Sequence, residues 1–336
     1  MEATFPDLKE AKRCFSRLGS GAFVMLVLGS VLQAVLAGVL SAFLLRSGGG
    51  FPPWATWVAT FGPLYCVAVP VGLLVMRRAP AFPPPRSALG AGRFLRLLPV
   101  CVFLMYAGNL IGTAVTSGLG MLLGSEVENP LLDYAMGGGP FLVKLLVLAV
   151  LAPLVEELVF RRALIDRMRV YGEKTAVVTS ALMFALFHGN LSQFFYALAL
   201  GLLFGYVYVK TGWLRYSIAL HMLGNLLGSI VAPALLERAD LDTLEGLDAA
   251  QLAADPAALG ALLTPELAAF LIYAAVLALI SLLGLILFFT GLKRIEFLEA
   301  ERELPKEARF RTVWCGAGMI LYVVIGLILI VASLFL

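Results

Sequence analysis

Long apolar runs separated by short clusters of charge set the pattern of this chain. Runs of about 20 mostly apolar residues cross a bilayer as helices. Here they fall at Ser20–Leu45, Trp54–Met76, Leu97–Gly124, Pro140–Phe160, Leu214–Leu235, Leu267–Leu292 and Val313–Leu336. Two shorter runs, Ala176–His188 and Phe194–Lys210, lie between the fourth and fifth of these. The pattern predicts an all-α fold, a polytopic transmembrane helical bundle of eight or nine spans. Gly137, Gly138, Gly139 and Pro140 put flexible residues before a helix start, with Pro where the first turn tolerates it. Phe82–Arg86 reads as a stiff loop, and Asp240–Thr264 as an extracytoplasmic loop, with an acidic surface helix as the alternative.

Composition agrees. Hydrophobic residues make up 61% of the 336 and charged residues 14%, with a mean hydropathy of +0.94. Soluble domains carry about 45–50% apolar and about 25% charged residues. A soluble globule, a disordered chain, a collagen, a disulfide scaffold and a nucleic-acid binder are all disfavoured. Cys14, Cys66, Cys101 and Cys315 are scattered, with no pair at metal-ligand spacing. The first apolar run follows a charged leader and is about twice as long as a signal peptide's core, so it is expected to stay in the chain.

The net charge of +3 matters less than its distribution. Cations cluster at Lys9, Lys12, Arg13 and Arg17, at Arg77 to Arg96, at Arg161 to Lys174, at Lys210 and Arg215, and at Lys293 to Arg311. The intervening loops are poor in cations, and two are acidic, around Glu126, Glu128 and Asp133 and around Asp240 to Asp255. Cation-rich loops face the cytosol. The alternation therefore puts the N-terminus in the cytosol and favours nine spans over eight.

Ionisable groups inside apolar helices cost about 2.5–3.5 kcal/mol each at a helix centre and so mark functional positions. Lys144 lies near one end of its run and can snorkel. Glu156 and Glu157 follow an unbroken apolar stretch, and Arg161 lies one turn beyond Glu157, within reach on the same face. Glu156 is rotated about 100° away. The spacing suggests one structural carboxylate and one free to act, unless the span ends at Val155 and both lie in the interface. The chain has two histidines, His188 and His221, and both fall at membrane depth, with Asn225 one turn beyond His221. Glu156 and His188 are equally far from a turn at Tyr171-Gly172, about 24 Å along their helices at 1.5 Å per residue. From a turn at Thr211-Gly212, His221 and Asn225 lie about 14 and 20 Å along theirs. Four polar side chains from three helices can therefore meet.

A carboxylate and an imidazole sharing a water make a general-base pair. A second imidazole and a carboxamide can hold an oxyanion. No serine or cysteine has a matching partner, so water is the natural nucleophile. Zinc held by Glu156, His188 and His221 is the other chemistry open to these residues. A proton-coupled transporter, or a non-catalytic scaffold or immunity protein, are the competing classes. A transporter would more often show two matching halves, and none is visible here.

Glu156-Glu157-x-x-x-Arg161, Phe184-x-x-x-His188 and His221-x-x-x-Asn225, in this order, resemble the CAAX prenyl protease and bacteriocin-processing (CPBP) family, also called abortive-infection-like. The resemblance implies an intramembrane endopeptidase with a core of about four helices. In it Glu156 would activate water with His188, Glu157 and Arg161 would form a supporting pair, and His221 and Asn225 would stabilise the oxyanion. The family is also described as metalloprotease, which keeps the zinc reading open. The implied partners are the lipid bilayer and a membrane-associated peptide or protein, with a lipidated C-terminal tail in eukaryotic members. A bacterial cytoplasmic membrane is the expected location. Three parts are expected: residues 1–139 with the first three spans, a catalytic core over 140–236, and 237–336 with the acidic loop and the last spans.

Overall fold

The computed structural model describes residues 7–46, 52–124, 136, 139–239 and 264–335. The described residues form helices and connecting turns, with no strand among them. The acidic segments around 126–133 and 240–263 lie outside the described residues.

Helix α1 spans Leu8–Arg46, α2 Pro53–Met76, α3 Ala91–Leu123 and α4 residues 141–168. Then come α5 (Glu173–Phe187), α6 (Leu191–Thr211), α7 (Leu214–Ala239), α8 (Pro265–Leu292), α9 (Lys306–Trp314) and α10 (Ala317–Ala332). Glycines in left-handed or otherwise glycine-specific conformations close two of the turns that set the depth of the core: Gly172 (φ 129°) after α4 and Gly212 (φ 63°) after α6. Both coincide with the turns read from the sequence.

Two boundaries move. α1 starts well before the expected Ser20, because its charged leader is amphipathic: Ala11, Cys14, Phe15 and Leu18 share a buried face while Lys9, Arg13 and Arg17 stay exposed. The last apolar run is not one helix. α9 and α10 meet at a 68° bend, so only Ala317–Ala332 continues as the apolar arm.

Among the described residues six helices are long and apolar enough to cross a membrane, or seven if the α9–α10 pair counts as one span, so the chain is a multi-pass integral membrane protein. The expected eight or nine included two elements outside that measure. α4 carries Lys144, Glu156 and Glu157 in its apolar stretch. α5 has 15 residues and reaches about 22 Å, short of a hydrocarbon core of about 30 Å.

α5 and α6 form the centre. α6 packs between α3 and α5, and α10 returns against α1 and reaches α5, where the Tyr322 hydroxyl donates to the Met183 carbonyl. Phe160, Leu164, Phe184 and Tyr208 fill the interior. At the cation-rich end of α4 Asp166 accepts from the Tyr208 hydroxyl at 2.7 Å, which ties α4 to α6. Burial there holds the Asp166 carboxyl above the usual aspartate range.

α3 approaches α6 through small residues spaced one turn apart. A Cβ on Gly108 would collide with the Tyr196 backbone, and one on Gly112 would sit 2.7 Å from the Ser192 carbonyl oxygen. Gly118, farther along α3, faces open space. Gly108→Ala should therefore lower the thermal midpoint in detergent, by the equivalent of about 1–3 kcal/mol. Gly118→Ala in the same helix should leave it unchanged or raise it slightly. Equal midpoints for the two variants would contradict this packing.

Candidate active site

The site forms where α4 to α7 converge, and irregular backbone surrounds it. Within α4, the α-helical turn Ala152–Glu157 is flanked by two π-helical segments, Leu145–Leu151 and Leu158–Ile165. α7 widens in the same way at Leu226–Val231, directly after Asn225, and α2 at Leu64–Ala68. Such wide turns are rare and concentrate at functional sites.

Glu157 and Arg161 are fully buried, and the Arg161 Nε–H donates to Glu157 Oε2 at 3.1 Å. Arg161 Nη1 donates to the Ser180 hydroxyl at 3.2 Å, which in turn donates to the Phe160 carbonyl at 2.6 Å. The guanidinium also lies over the rings of Phe184 (5.0 Å) and Phe204 (5.7 Å). The other oxygen of Glu157 accepts from Nδ1 of His221 at 3.1 Å. Glu157 thus holds the imidazole as well as the guanidinium, and its helix spacing from Arg161 makes the pair read from the sequence.

Glu156 points the other way. Its side chain keeps 19% of its surface accessible, and its Oε2 lies 3.5 Å from Nε2 of His221. Both carboxylates therefore engage one imidazole, one at each ring nitrogen.

His188 sits just past the end of α5, and its Nδ1 donates to the Phe184 carbonyl at 2.9 Å, leaving Nε2 as the acceptor. The Phe184 ring meets His188 edge-on at 4.8 Å and His221 at 5.7 Å. That explains the phenylalanine of the Phe184-x-x-x-His188 pattern: one residue fixes both imidazoles and covers the arginine. Asn225 donates an amide N–H to the Leu148 carbonyl at 2.8 Å, inside the first π-helical segment of α4, and keeps a second N–H.

Glu156, His188, His221 and Asn225 line one cavity of about 250 Å³. Glu157 and Arg161 lie behind it. Residues that motif reading passed over complete the wall: Tyr65 of α2, and Asn190, Gln193 and Tyr196 at the start of α6. Asn190 caps α6, accepting from the Gln193 N–H at 2.9 Å and donating to the His188 carbonyl at 2.9 Å. An Asn before an apolar run is a helix-start signal, and it was the available clue. Ser180, a hydroxyl within an apolar helix, was another.

Zinc held by Glu156, His188 and His221 was the other chemistry read from the sequence. Among the described residues no three His, Cys, Asp or Glu side chains come together to hold a metal ion.

Residues 138–227 match the family described as type II CAAX prenyl endopeptidase Rce1-like. The matched stretch is well under half of the chain and includes all seven motif residues, so the resemblance seen in the motifs is borne out there. It supports a CAAX-protease-like endopeptidase in general. No curated protein and no solved structure matches the chain.

Arg161→Ala should destabilise the protein by about 3–5 kcal/mol, because it leaves a buried carboxylate without its cation. Glu156→Gln, at a partly accessible position outside that pair, should cost far less. Thermal unfolding of both variants in the same detergent checks this, and equal midpoints would contradict the assignment of Glu157 to the structural pair.

Proposed function

We propose that the chain is an intramembrane endopeptidase that hydrolyses a peptide bond in a membrane-associated protein or peptide, with 140–236 as its catalytic unit. The observation that carries this reading is the convergence of Glu156, His188, His221 and Asn225 on one cavity inside an apolar bundle.

In this reading a water sits between Glu156 and the open Nε2 of His188, both of which accept hydrogen bonds. Glu156 takes a proton from the water as its oxygen attacks the carbonyl carbon. The carbonyl oxygen becomes an oxyanion, held by the Nε2 proton of His221 and the second N–H of Asn225. As Glu156 loses its negative charge, His221 exchanges a carboxylate partner for the oxyanion, so the charge around it changes little. Glu156 then passes its proton to the leaving nitrogen and the C–N bond breaks. General-base catalysis typically contributes 10²–10⁴-fold, and one oxyanion donor about 10²–10³-fold.

Glu157 and Arg161 act through His221, whose ring they keep in place and in one orientation. The protein side of the reaction is thus complete without a metal step. In the same proposal the cation-rich end of the bundle, with the N-terminus, faces the cytosol.

Glu156→Gln should reduce cleavage of a membrane peptide substrate by about 10²-fold or more while the protein stays folded. Peptidomics of membranes from wild-type and Glu156→Gln cells supplies the substrate, as a fragment that disappears. Wild-type cleavage by purified Glu156→Gln protein would overturn the assignment. Cleavage should also persist in EDTA and 1,10-phenanthroline; loss of activity restored by added zinc would revive the metal reading.

A further inference from the structure

Far from the cavity, at the start of α1, Lys9, Lys12, Arg13 and Ser16 repeat at helical spacing and so share one face. That face meets the α9–α10 bend and borders a pocket of about 460 Å³ floored by Gly316 and Ala317. Close contact makes the floor: the Ser16 hydroxyl accepts from the Gly318 N–H at 3.0 Å, and a Cβ on Gly316 would sit 2.8 Å from that of Ser16. Three cations therefore line one pocket, and among the described residues no carboxylate does.

The neighbouring acids are engaged elsewhere. Asp7 accepts the Lys9 backbone N–H at 2.8 Å, and Glu10 pairs with Arg302 at 3.5 Å. Lys9, Lys12 and Arg13 form no ion pair among the described residues; Arg13 spends only its Nε on the Lys9 carbonyl, at 3.4 Å. Three like charges crowded together without counter-charge repel one another, and an anion between them removes that repulsion.

What lies below the pocket identifies the anion's carrier. Ala317 starts the exposed stripe of α10, which continues through Ile320, Leu321, Val324 and Leu327 and is apolar throughout. The pocket thus sits where a charged helix end gives way to a lipid-facing surface, at headgroup depth. A phosphate held by the cations would carry its acyl chains along that stripe, which a free phosphate could not use.

We propose that the pocket between α1 and the α9–α10 bend binds the phosphate of an anionic phospholipid, with Lys9, Lys12 and Arg13 as its cationic ligands.

The test is native mass spectrometry of the full chain in mild detergent, titrated separately with dioleoylphosphatidylglycerol and dioleoylphosphatidylcholine. Wild type should retain one phosphatidylglycerol in preference to phosphatidylcholine, less tightly as salt rises. Lys9→Gln/Lys12→Gln/Arg13→Gln should weaken that binding on the order of 100-fold, at the usual contribution of each basic residue near an anionic lipid. Lys9→Arg/Lys12→Arg, which keeps the charge, should retain it. Arg13→Gln alone, at an exposed side chain that leaves the packing untouched, should give an intermediate loss and stands in if the triple variant does not fold. Phosphatidylglycerol retention by the triple variant at the wild-type level, or no lipid preference in wild type, would overturn the proposal. Displacement of the lipid by millimolar inorganic phosphate would overturn the lipid assignment in favour of a free-phosphate site.

Discussion

One buried ion pair organises the core. Glu157 and Arg161 are fully enclosed, and the pair touches each of the helices α4 to α7. Both residues stand on α4, Ser180 and Phe184 answer from α5, Phe204 from α6 and His221 from α7. An enclosed charge tolerates little displacement, because losing a partner strands its counterpart in an apolar medium. Non-directional packing of leucines and valines would permit several rotations of these helices about their axes. The guanidinium and its hydrogen bonds select one. The position of Glu156 follows, since it is the next residue along and must face away from its neighbour.

The break between α5 and α6 has a related logic. Backbone outside a helix is tolerated at membrane depth only beside protein or water. At His188–Asn190 the chain satisfies itself through Asn190, which caps α6 and returns a hydrogen bond to the His188 carbonyl. Gly189 adopts φ 66° to make the turn. The same short connection presents the His188 ring to the cavity, so satisfying the backbone and placing a reactive side chain are one structural solution.

Much of this was legible in the sequence, and the limits have physical causes. The spacing of Glu157 and Arg161 fixed their pairing, and distances from the turns at Gly172 and Gly212 brought the polar residues to one level. Depth along a helix follows from residue count alone. Rotation does not, and so the approach of Glu156 to His221 at 3.5 Å could not be read from the sequence. The helical leader of α1 was hidden for another reason: its cations lower a running average of hydropathy although Ala11, Cys14, Phe15 and Leu18 form a buried stripe. Shortness disguised α5, whose burial comes from central position rather than from length.

The widened segments of α4 carry a consequence for how such a protein can change over time. Each shifts the angular register of everything that follows it along the helix, as a vernier does. The turn that bears Glu156 lies between two of them, so its azimuth is set independently of the portions on either side. Tolerance to added or removed residues should therefore be uneven in α4: a wide turn can absorb one by regularising, but only at the expense of the direction in which Glu156 looks.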